Sequence, residues 1–331
     1  GGSLAGLTAA QVLRDEGFDG QVTVVEPEGR LAYDRPPLSK QVLSGEWDAE
    51  RATLPVAKAD LGLDWERGAH AVGLDPRDRS VLLGDGRQIP YEGLVVATGA
   101  APRALPGTGE LRGVHVLRTL DDCLELRSAL DAQPTRVVVI GAGFIGAEVA
   151  ATCRGRGLSV TMIESMEVPL ARVLGPLVGG VVADLHRDHG VDLRVGVGVA
   201  ALRADGDGRV QAVKLDDGSE VAAEVVVVGI GVVPRTDWLG DSGLALDDGV
   251  LTDELLFAAP GVVAVGDLVR WPSRRFATSL RIEHWEHAIQ SAEVAARNLL
   301  CDAGELTDPP HPYDPVPWFW SDQYDRKLQL A

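Results

Sequence analysis

Two kinds of hydrophobic pattern alternate along the chain. Short valine-rich runs, such as 137–140 and 225–228, predict buried strands. Longer stretches carry apolar residues at helical spacing, as at residues 283–300, and these predict helices with one buried face. Strands that alternate with helices are typical of α/β folds built on a parallel sheet.

One unit of this pattern occurs twice. Residues 1–6 (Gly-Gly-Ser-Leu-Ala-Gly) open a helical stretch, and a short strand that ends at Glu26 follows it. Residues 141–146 (Gly-Ala-Gly-Phe-Ile-Gly) also open a helix, and the next strand ends at Glu164. This repeated order of glycines, helix, strand and acid predicts two dinucleotide-binding modules.

The second motif fits the dinucleotide pattern residue by residue. Gly141 permits the tight turn, Gly143 lets a pyrophosphate approach the backbone, and Gly146 lets helix and strand pack closely. Ile145 lies in the same first helical turn. Glu164 follows Gly146 by 18 residues, where a carboxylate accepts from ribose hydroxyls and repels a 2′-phosphate, so NAD is favoured over NADP. The alternative is a structural turn with an incidental acid.

The first motif departs from the pattern at one position. Ser3 stands where the middle glycine is expected, while Gly1 and Gly6 keep their places. Glu26 lies 20 residues beyond Gly6, at the expected ribose position. The strand that should precede Gly1 is absent from the sequence.

The stretch between the second module and residue 228 has a different pattern. Residues 193–203, 209–215 and 221–228 each predict a strand, and turns at 205–208 and 217–218 separate them. Such a meander predicts an antiparallel flap beside the parallel sheet.

Charge and cysteine content narrow the function classes. The net charge of −18 disfavours nucleic-acid binding, because such a surface repels phosphate backbones. No apolar run predicts a membrane span, and no secretory leader is seen. The cysteines have neither disulfide nor zinc-ligand spacing, so a cytoplasmic location is expected. His186 and His189 share a helix face without a persuasive carboxylate set, so no metal site is predicted.

More specific motifs carry a family resemblance. They are Ala-Thr-Gly at 97–99, Val-Gly-Asp at 265–267, Tyr-Asp-Arg-Pro-Pro-Leu-Ser-Lys at 33–40, Arg-Ile-Glu-His-Trp at 281–285 and Pro-Trp-Phe-Trp-Ser-Asp-Gln-Tyr at 317–324. Together they resemble the FAD-dependent NADH:ferredoxin reductases that serve bacterial cytochromes P450 and Rieske-type dioxygenases. The resemblance extends over essentially the whole chain.

The resemblance implies an α/β fold with two Rossmann-like domains, for FAD and NAD, and a C-terminal α+β domain. It places the first part of the FAD domain at 1–103 and the NAD domain at 104–235. The second part of the FAD domain follows at 236–310, and 311–331 begin the domain that covers the flavin. Because that domain is longer in the family, the sequence is expected to be truncated at both ends.

The resemblance also assigns site residues. It places FAD at Gly1, Ser3, Gly6, Glu26, Arg35, Lys40, Thr98, Gly99, Asp267, Glu283 and Trp285. It places NADH at Gly141, Gly143, Ile145, Gly146, Glu148, Glu164 and Gly231. Three of the residues receive catalytic roles, with Lys40 and Glu148 paired near the flavin and Trp285 packed beside it. The alternatives are a surface lysine, a solvated helix glutamate and a core tryptophan.

The implied activity is hydride transfer from NADH to FAD, followed by release of single electrons to a [2Fe-2S] ferredoxin. Residues 1–122 contain no cysteine, so a thiol relay beside the flavin is not expected. A basic patch is expected to dock the ferredoxin, and its residues are Arg270, Arg274, Arg275, Arg281, Arg326 and Lys327. The alternatives are another acceptor (rubredoxin, a quinone or oxygen) and a NAD-binding signalling flavoprotein of the same fold.

Overall fold

Helices lie after both glycine motifs and near residues 283–300, where the sequence pattern predicts them. The computed structural model describes residues 1–108 and 111–331. Its helices are α1 (Leu4–Asp15), α2 (Gln41–Ser44), α3 (Leu120–Asp131), α4 (Phe144–Gly155), α5 (Ala171–Asp188) and α6 (Trp285–Asp302). The helices α1 and α4 each begin inside a glycine motif, which places their N-termini beside the two loops.

The strands are short, and most of them are apolar. They are β1 (Val22–Glu26), β2 (Leu63–Arg67), β3 (Ala71–Asp75), β4 (Ser80–Leu83), β5 (Gln88–Pro90), β6 (Leu94–Val96), β7 (Ala100–Pro102), β8 (Val114–His115), β9 (Val137–Ile140), β10 (Val160–Glu164), β11 (Asp192–Val195), β12 (Val199–Ala204), β13 (Val210–Leu215), β14 (Glu220–Ala222), β15 (Val225–Val228), β16 (Val232–Pro234), β17 (Val250–Leu251), β18 (Phe257–Ala259), β19 (Val262–Ala264), β20 (Val269–Ser273), β21 (Thr278–Leu280), β22 (Phe319–Gln323) and β23 (Arg326–Leu330).

The middle of the chain forms a parallel sheet. Its five strands lie in the order β11-β10-β9-β15-β8, and all four pairings are parallel. Every residue of β9 and β15 is buried, because both faces of these central strands are covered. The α/β class predicted from the alternating pattern is confirmed.

The remaining strands form smaller sheets on either side of this region. Strand β19 pairs in parallel with β6, although the two are far apart in sequence. One apolar core joins residues from 9–96 with residues from 239–313, so the two ends of the chain pack together. The antiparallel pair β7 and β16 marks the two places where the chain passes into and out of the middle region.

The predicted flap is present, but two of its strands were wrongly delimited. Strands β12, β13 and β14 form an antiparallel sheet, as expected. The stretch predicted as one strand at 193–203 is two strands, and β11 belongs to the parallel sheet. Gly196, whose φ is +67°, breaks the run between them. The stretch 221–228 likewise divides into β14 and β15, because the Glu224 N–H leaves the flap and donates to the Arg136 carbonyl.

A hairpin closes the described chain. Strands β22 and β23 pair in an antiparallel register, and β22 packs along α4. The proline-rich segment before it is fixed to the apolar core that joins residues 9–96 and 239–313, since Tyr313 is buried and its hydroxyl lies 2.7 Å from His287 Nδ1. Tyr313 lies three residues beyond the predicted domain boundary at 310, and the division into domains stays a prediction.

Candidate active site

The first glycine loop is packed too tightly for larger residues at two positions. A Cβ atom on Gly6 would lie 1.8 Å from the Gly1 carbonyl oxygen, and one on Gly1 would lie 2.5 Å from the Ala97 oxygen. Both contacts are below any van der Waals distance, so α1 can approach β6 only with glycine there. Ser3 stands at the N-cap of α1, and its side chain makes no capping hydrogen bond. The N–H groups of the first turn are therefore available to a ligand.

The three glycines of the second loop have three different surroundings. Gly141 has φ of +97°, and a Cβ there would lie 2.4 Å from the Gly229 oxygen. A Cβ on Gly146 would lie 2.0 Å from the Gly141 oxygen, whereas one on Gly143 would meet nothing within 4 Å. The open space therefore lies at the middle glycine, at the N-cap of α4, where a phosphate can approach the backbone.

The acids at the ends of β1 and β10 are held in the same way. Glu26 accepts from the Gly2 N–H, and Glu164 accepts from the Ala142 N–H at 2.8 Å. The second carboxylate oxygen of each accepts from the N–H two residues further on, at 3.0 Å for Glu26 and 2.9 Å for Glu164. A carboxylate has about four lone-pair sites, so each acid keeps acceptor capacity for ribose hydroxyls beside its loop.

One large cavity of about 1760 Å³ adjoins both loops. Pockets for a single drug-sized ligand measure roughly 300–1,000 Å³, so this one accommodates more than one such molecule. The sequence-predicted residues that line it are Gly1, Ser3, Gly6, Glu26, Arg35, Lys40, Thr98, Gly99, Gly143, Ile145, Glu148, Gly231, Asp267, Glu283 and Trp285. Gly141, Gly146 and Glu164 are not part of its wall; the two glycines belong to the second loop, and Glu164 accepts from the Ala142 N–H of that loop.

Lys40 and Glu148 form an ion pair in the cavity wall, 108 residues apart in sequence. Lys40 Nζ lies 2.6 Å from Glu148 Oε2, and their side chains are 12% and 4% exposed. Ser39 donates to the same carboxylate oxygen at 2.5 Å, and Ser321 donates to Oε1 at 2.7 Å. A buried charge is tolerated only when it is paired and hydrogen-bonded, and Glu148 has three donors.

Trp285 is fixed by a polar contact as well as by packing. Its indole N–H donates to Asp34 Oδ1 at 2.7 Å, and its ring meets Trp320 edge-on at 6.1 Å. Burial raises the pKa of Asp34, while the hydrogen bond from Trp285 and the charge of Lys40 oppose that rise. Both tryptophans line the cavity.

Asp267 has a partner that sequence reasoning missed. Arg118 Nη2 lies 2.6 Å from Asp267 Oδ2, and Arg35 donates to the Arg118 carbonyl. Arg35 also pairs with Glu28 at 3.3 Å. No local motif marks Arg118, which lies 149 residues from Asp267, so the sequence carried no signal for this pair.

The other polar residues of the wall are held by short contacts. Glu283 pairs with Arg281 at 2.6 Å, and the Thr98 hydroxyl donates to the Arg235 carbonyl at 2.8 Å. Ser39 and Ser321 were also missed, although each lies inside a motif that had already been singled out.

The expected basic patch is not a patch of free positive charge. Each of five of its six residues is within 4 Å of a carboxylate, and the pairs are Arg270–Asp247, Arg274–Glu254, Arg281–Asp248, Arg326–Asp325 and Lys327–Asp322. The fold brings acids to these cations, so local charge is largely neutralised. Docking of the ferredoxin at these residues stays a prediction.

The cysteines are free, and two of them are deeply buried. Burial raises the pKa of the Cys123 and Cys153 thiols to about 12, so neither is a thiolate near neutral pH. Across 1–108 and 111–331 no group of His, Cys, Asp and Glu residues has a metal-binding arrangement. In that same part of the chain, no helix combines the length and apolarity that a membrane crossing requires.

Comparison with known proteins identifies the family to which the chain belongs. Residues 1–292 match the sequence pattern of the pyridine nucleotide-disulphide oxidoreductases. The whole chain is 40% identical to rhodocoxin reductase from Rhodococcus erythropolis, of which it covers 76%. It is 36% identical to the ferredoxin–NAD(+) reductase component of the p-cumate 2,3-dioxygenase system from Pseudomonas putida, of which it covers 79%.

The structure is similar to solved ferredoxin reductases. It superposes on the reductase in the crystal structure of the covalent putidaredoxin reductase–putidaredoxin complex with a TM-score of 0.92 and 35% identity. That comparison covers 99% of this chain and 79% of the other. The chain therefore belongs to the pyridine nucleotide-disulphide oxidoreductase family, among the ferredoxin reductases of bacterial oxygenase systems.

Proposed function

We propose that this chain is the reductase component of a bacterial oxygenase system, in which it oxidises NADH and delivers single electrons to a [2Fe-2S] ferredoxin. The observation that carries the proposal is the single cavity that adjoins both glycine loops, with the Lys40–Glu148 pair in its wall. The similarity to rhodocoxin reductase and to the dioxygenase reductase component supports the same conclusion.

The residues of the first loop fit the adenosine half of FAD. Gly1 and Gly6 bring the N-terminus of α1 against the cavity, and Glu26 lies beside it with acceptor capacity for ribose hydroxyls. Asp267 and Arg35 would contact the middle of the molecule, where hydroxyl and phosphate groups need an acceptor and a cation. Thr98, Gly99 and Glu283 form the adjoining wall.

The residues of the second loop fit the pyrophosphate and ribose of NADH. The space at Gly143 and the free N–H groups of the first α4 turn suit a phosphate. The Glu164 carboxylate suits two ribose hydroxyls and disfavours a 2′-phosphate, because the two negative charges repel each other. Ile145 and Gly231 line the cavity between this loop and the Lys40–Glu148 pair.

When FAD is bound it supplies the redox chemistry, since a flavin accepts a hydride and releases electrons singly. The residues of the chain orient the ligands and exclude water from the cavity wall, which accounts for much of the rate in such transfers. Lys40 and Glu148 hold a fixed pair of opposite charges at that wall. Trp285, anchored by Asp34, provides a rigid apolar surface.

The state of the cysteines supports direct release of electrons to a protein acceptor. Within the described residues no cysteine lines the cavity, and the Cys123 and Cys153 thiols stay protonated. A dithiol relay would need two reactive thiols beside the flavin. Free cysteines also agree with a cytoplasmic location, which is part of this proposal.

The test is an anaerobic absorbance titration of the purified protein. We expect an oxidised flavin band that bleaches rapidly with NADH and slowly with NADPH, followed by reoxidation when a [2Fe-2S] ferredoxin is added. A flavin that neither nucleotide reduces would refute the hydride transfer. Rapid reduction with NADH, followed by electron transfer to a quinone or oxygen but to none of a panel of ferredoxins, would refute the assigned acceptor.

A further inference from the structure

The Lys40–Glu148 pair is assembled from three separate parts of the chain. Lys40 and Ser39 come from the segment after β1, and Glu148 comes from α4. The third donor, Ser321, comes from strand β22 of the C-terminal hairpin, 173 residues away from Glu148. Ser321 is fully buried and is the donor to Oε1 of the carboxylate, while Lys40 and Ser39 both contact Oε2.

Strand β22 presents one face to α4. Side chains alternate along a strand, so Phe319, Ser321 and Gln323 share a face. The Phe319 ring lies edge-on to Phe144 at 4.5 Å, and Phe144 and Glu148 lie one helical turn apart on α4. The serine therefore stands opposite Glu148 because the strand and the helix are held in register at Phe319.

The far end of the hairpin is held by helix α5. The Tyr324 hydroxyl lies 2.8 Å from His186 Nδ1, and the Tyr324 ring stacks on His189 at 3.8 Å. Ser321 thus lies between two anchor points, Phe319 and Tyr324. Such a doubly anchored strand holds its central side chain in one place.

The hydroxyl of Ser321 is also oriented. Gln323 Nε2 donates to Ser321 Oγ at 3.3 Å, and both groups are buried. The Glu148 carboxylate can only accept, so the hydroxyl hydrogen of Ser321 is directed to it, while the Ser321 oxygen accepts from Gln323. Without the Ser321 hydroxyl, Oε1 of a buried carboxylate loses its hydrogen-bond partner, and only the contacts of Lys40 and Ser39 with Oε2 hold the carboxylate in place.

We propose that Ser321 is a positioning residue, which fixes the Glu148 carboxylate against Lys40 and so makes the charge pair in the cavity wall depend on the docked C-terminal hairpin. The proposal rests on the proposed function, because the pair is taken to act on hydride transfer. It assigns to the hairpin a part in the reaction itself, in addition to covering the cavity.

The rate test uses a double-mutant cycle in the FAD-loaded protein. Rapid mixing with NADH measures the limiting rate of flavin reduction and the NADH dissociation constant for the wild type, Ser321→Ala, Glu148→Gln and the double variant. We expect Ser321→Ala to slow reduction about tenfold with an unchanged dissociation constant, since small misplacements of such groups cost up to about 100-fold. It should cause no further slowing in the Glu148→Gln background.

Two further variants make the test specific. Ser321→Thr keeps the hydroxyl on a residue that strands favour, so it should restore most of the rate. Ser279→Ala removes a serine from the exposed strand β21 and should change nothing. Equal slowing by Ser321→Ala with and without Glu148, or failure of the threonine to restore the rate, would overturn the proposal.

Melting temperatures separate this inference from the function on which it rests. If Ser321 acts on Glu148, combining Ser321→Ala with Glu148→Ala, which removes both carboxylate oxygens, should give a melting temperature within about 1 °C of that of Glu148→Ala alone, because the shared hydrogen bond is lost only once. A rate of flavin reduction that Glu148→Gln leaves unchanged would remove the pair from the mechanism. Additive drops in melting temperature would show instead that Ser321 does not hold the carboxylate.

Discussion

Removing both partners of the Lys40–Glu148 pair should cost much less stability than the two single removals added together. At 2.6 Å and an effective dielectric constant of about 20, the attraction of two unit charges is roughly 6 kcal/mol. Much of this is offset by the loss of water around each ion, which costs several kcal/mol. The main loss of stability therefore comes from the buried charge that stays unpaired when its partner is removed.

The variants are Lys40→Met, Glu148→Gln and the double variant. We expect Lys40→Met to destabilise the protein by about 3 kcal/mol, since it leaves the 4%-exposed Glu148 charge with two serine donors only. Glu148→Gln should cost about 2 kcal/mol, because Lys40 is slightly more exposed and reaches water more easily. The double variant should resemble the milder single variant, which gives a coupling energy of about 3 kcal/mol.

The assay is denaturant unfolding of the FAD-loaded protein, followed by tryptophan fluorescence. The control is the Lys327–Asp322 pair in the hairpin, which lies at 3.2 Å with side chains 54% and 33% exposed. Its coupling energy should be below about 0.5 kcal/mol, as is usual for exposed pairs. A coupling this small for Lys40 and Glu148 would refute the argument that their burial makes the pair interdependent.

Three further predictions follow from the glycine loop, the ribose acid and the buried histidines. Gly143→Ala should leave the melting temperature unchanged and raise the Michaelis constant for NADH about tenfold. Gly146→Ala would place a Cβ 2.0 Å from the Gly141 carbonyl oxygen, so thermal unfolding should show a loss of stability of about 2 kcal/mol or more. Glu164→Gln keeps an acceptor for the Ala142 N–H but loses the charge, so the kcat/KM preference for NADH over NADPH should fall about tenfold in steady-state assays, and an unchanged preference would contradict the assignment. Burial lowers the pKa values of three histidines, His186, His284 and His287, to about 4. Because the unfolded histidines have a pKa near 6.5 and bind protons first, the free energy of unfolding should fall as the pH drops from 7 to 5.5, and a constant melting temperature over that range would contradict this.

Local chemistry was predictable from the sequence, and contacts between distant segments were not. The glycine loops and their acids follow from sterics within about 25 residues, and the structure brings Glu26 and Glu164 to their loops, while the roles of these residues in nucleotide binding stay predictions. The Arg118–Asp267 pair joins residues 149 apart, and nothing in the sequence near either one marks the other. The pairing of Lys40 with Glu148 was expected only because of the family resemblance.

Surface charge was predictable only in part, for the same reason. The basic patch was inferred from cations that are near one another in sequence, but the fold brings Asp247 and Glu254 to Arg270 and Arg274. The pairing of Lys327 with Asp322 follows from the hairpin register, which places these two residues opposite each other. Charge patterns along a chain therefore overestimate free surface charge wherever acids return from another element.

Stability alone does not account for a buried ion pair at this position. Well-packed apolar residues in place of such a pair are often neutral or stabilising by about 1–4 kcal/mol, because the desolvation cost disappears. Here the pair is supported by Ser39 and Ser321, whose hydroxyls would be orphaned by apolar replacements. Three separate segments thus contribute to holding one carboxylate in the cavity wall. A buried pair that adds little stability is explained if its charge acts on the nucleotides in the cavity, which is the role that the proposed function gives to Glu148.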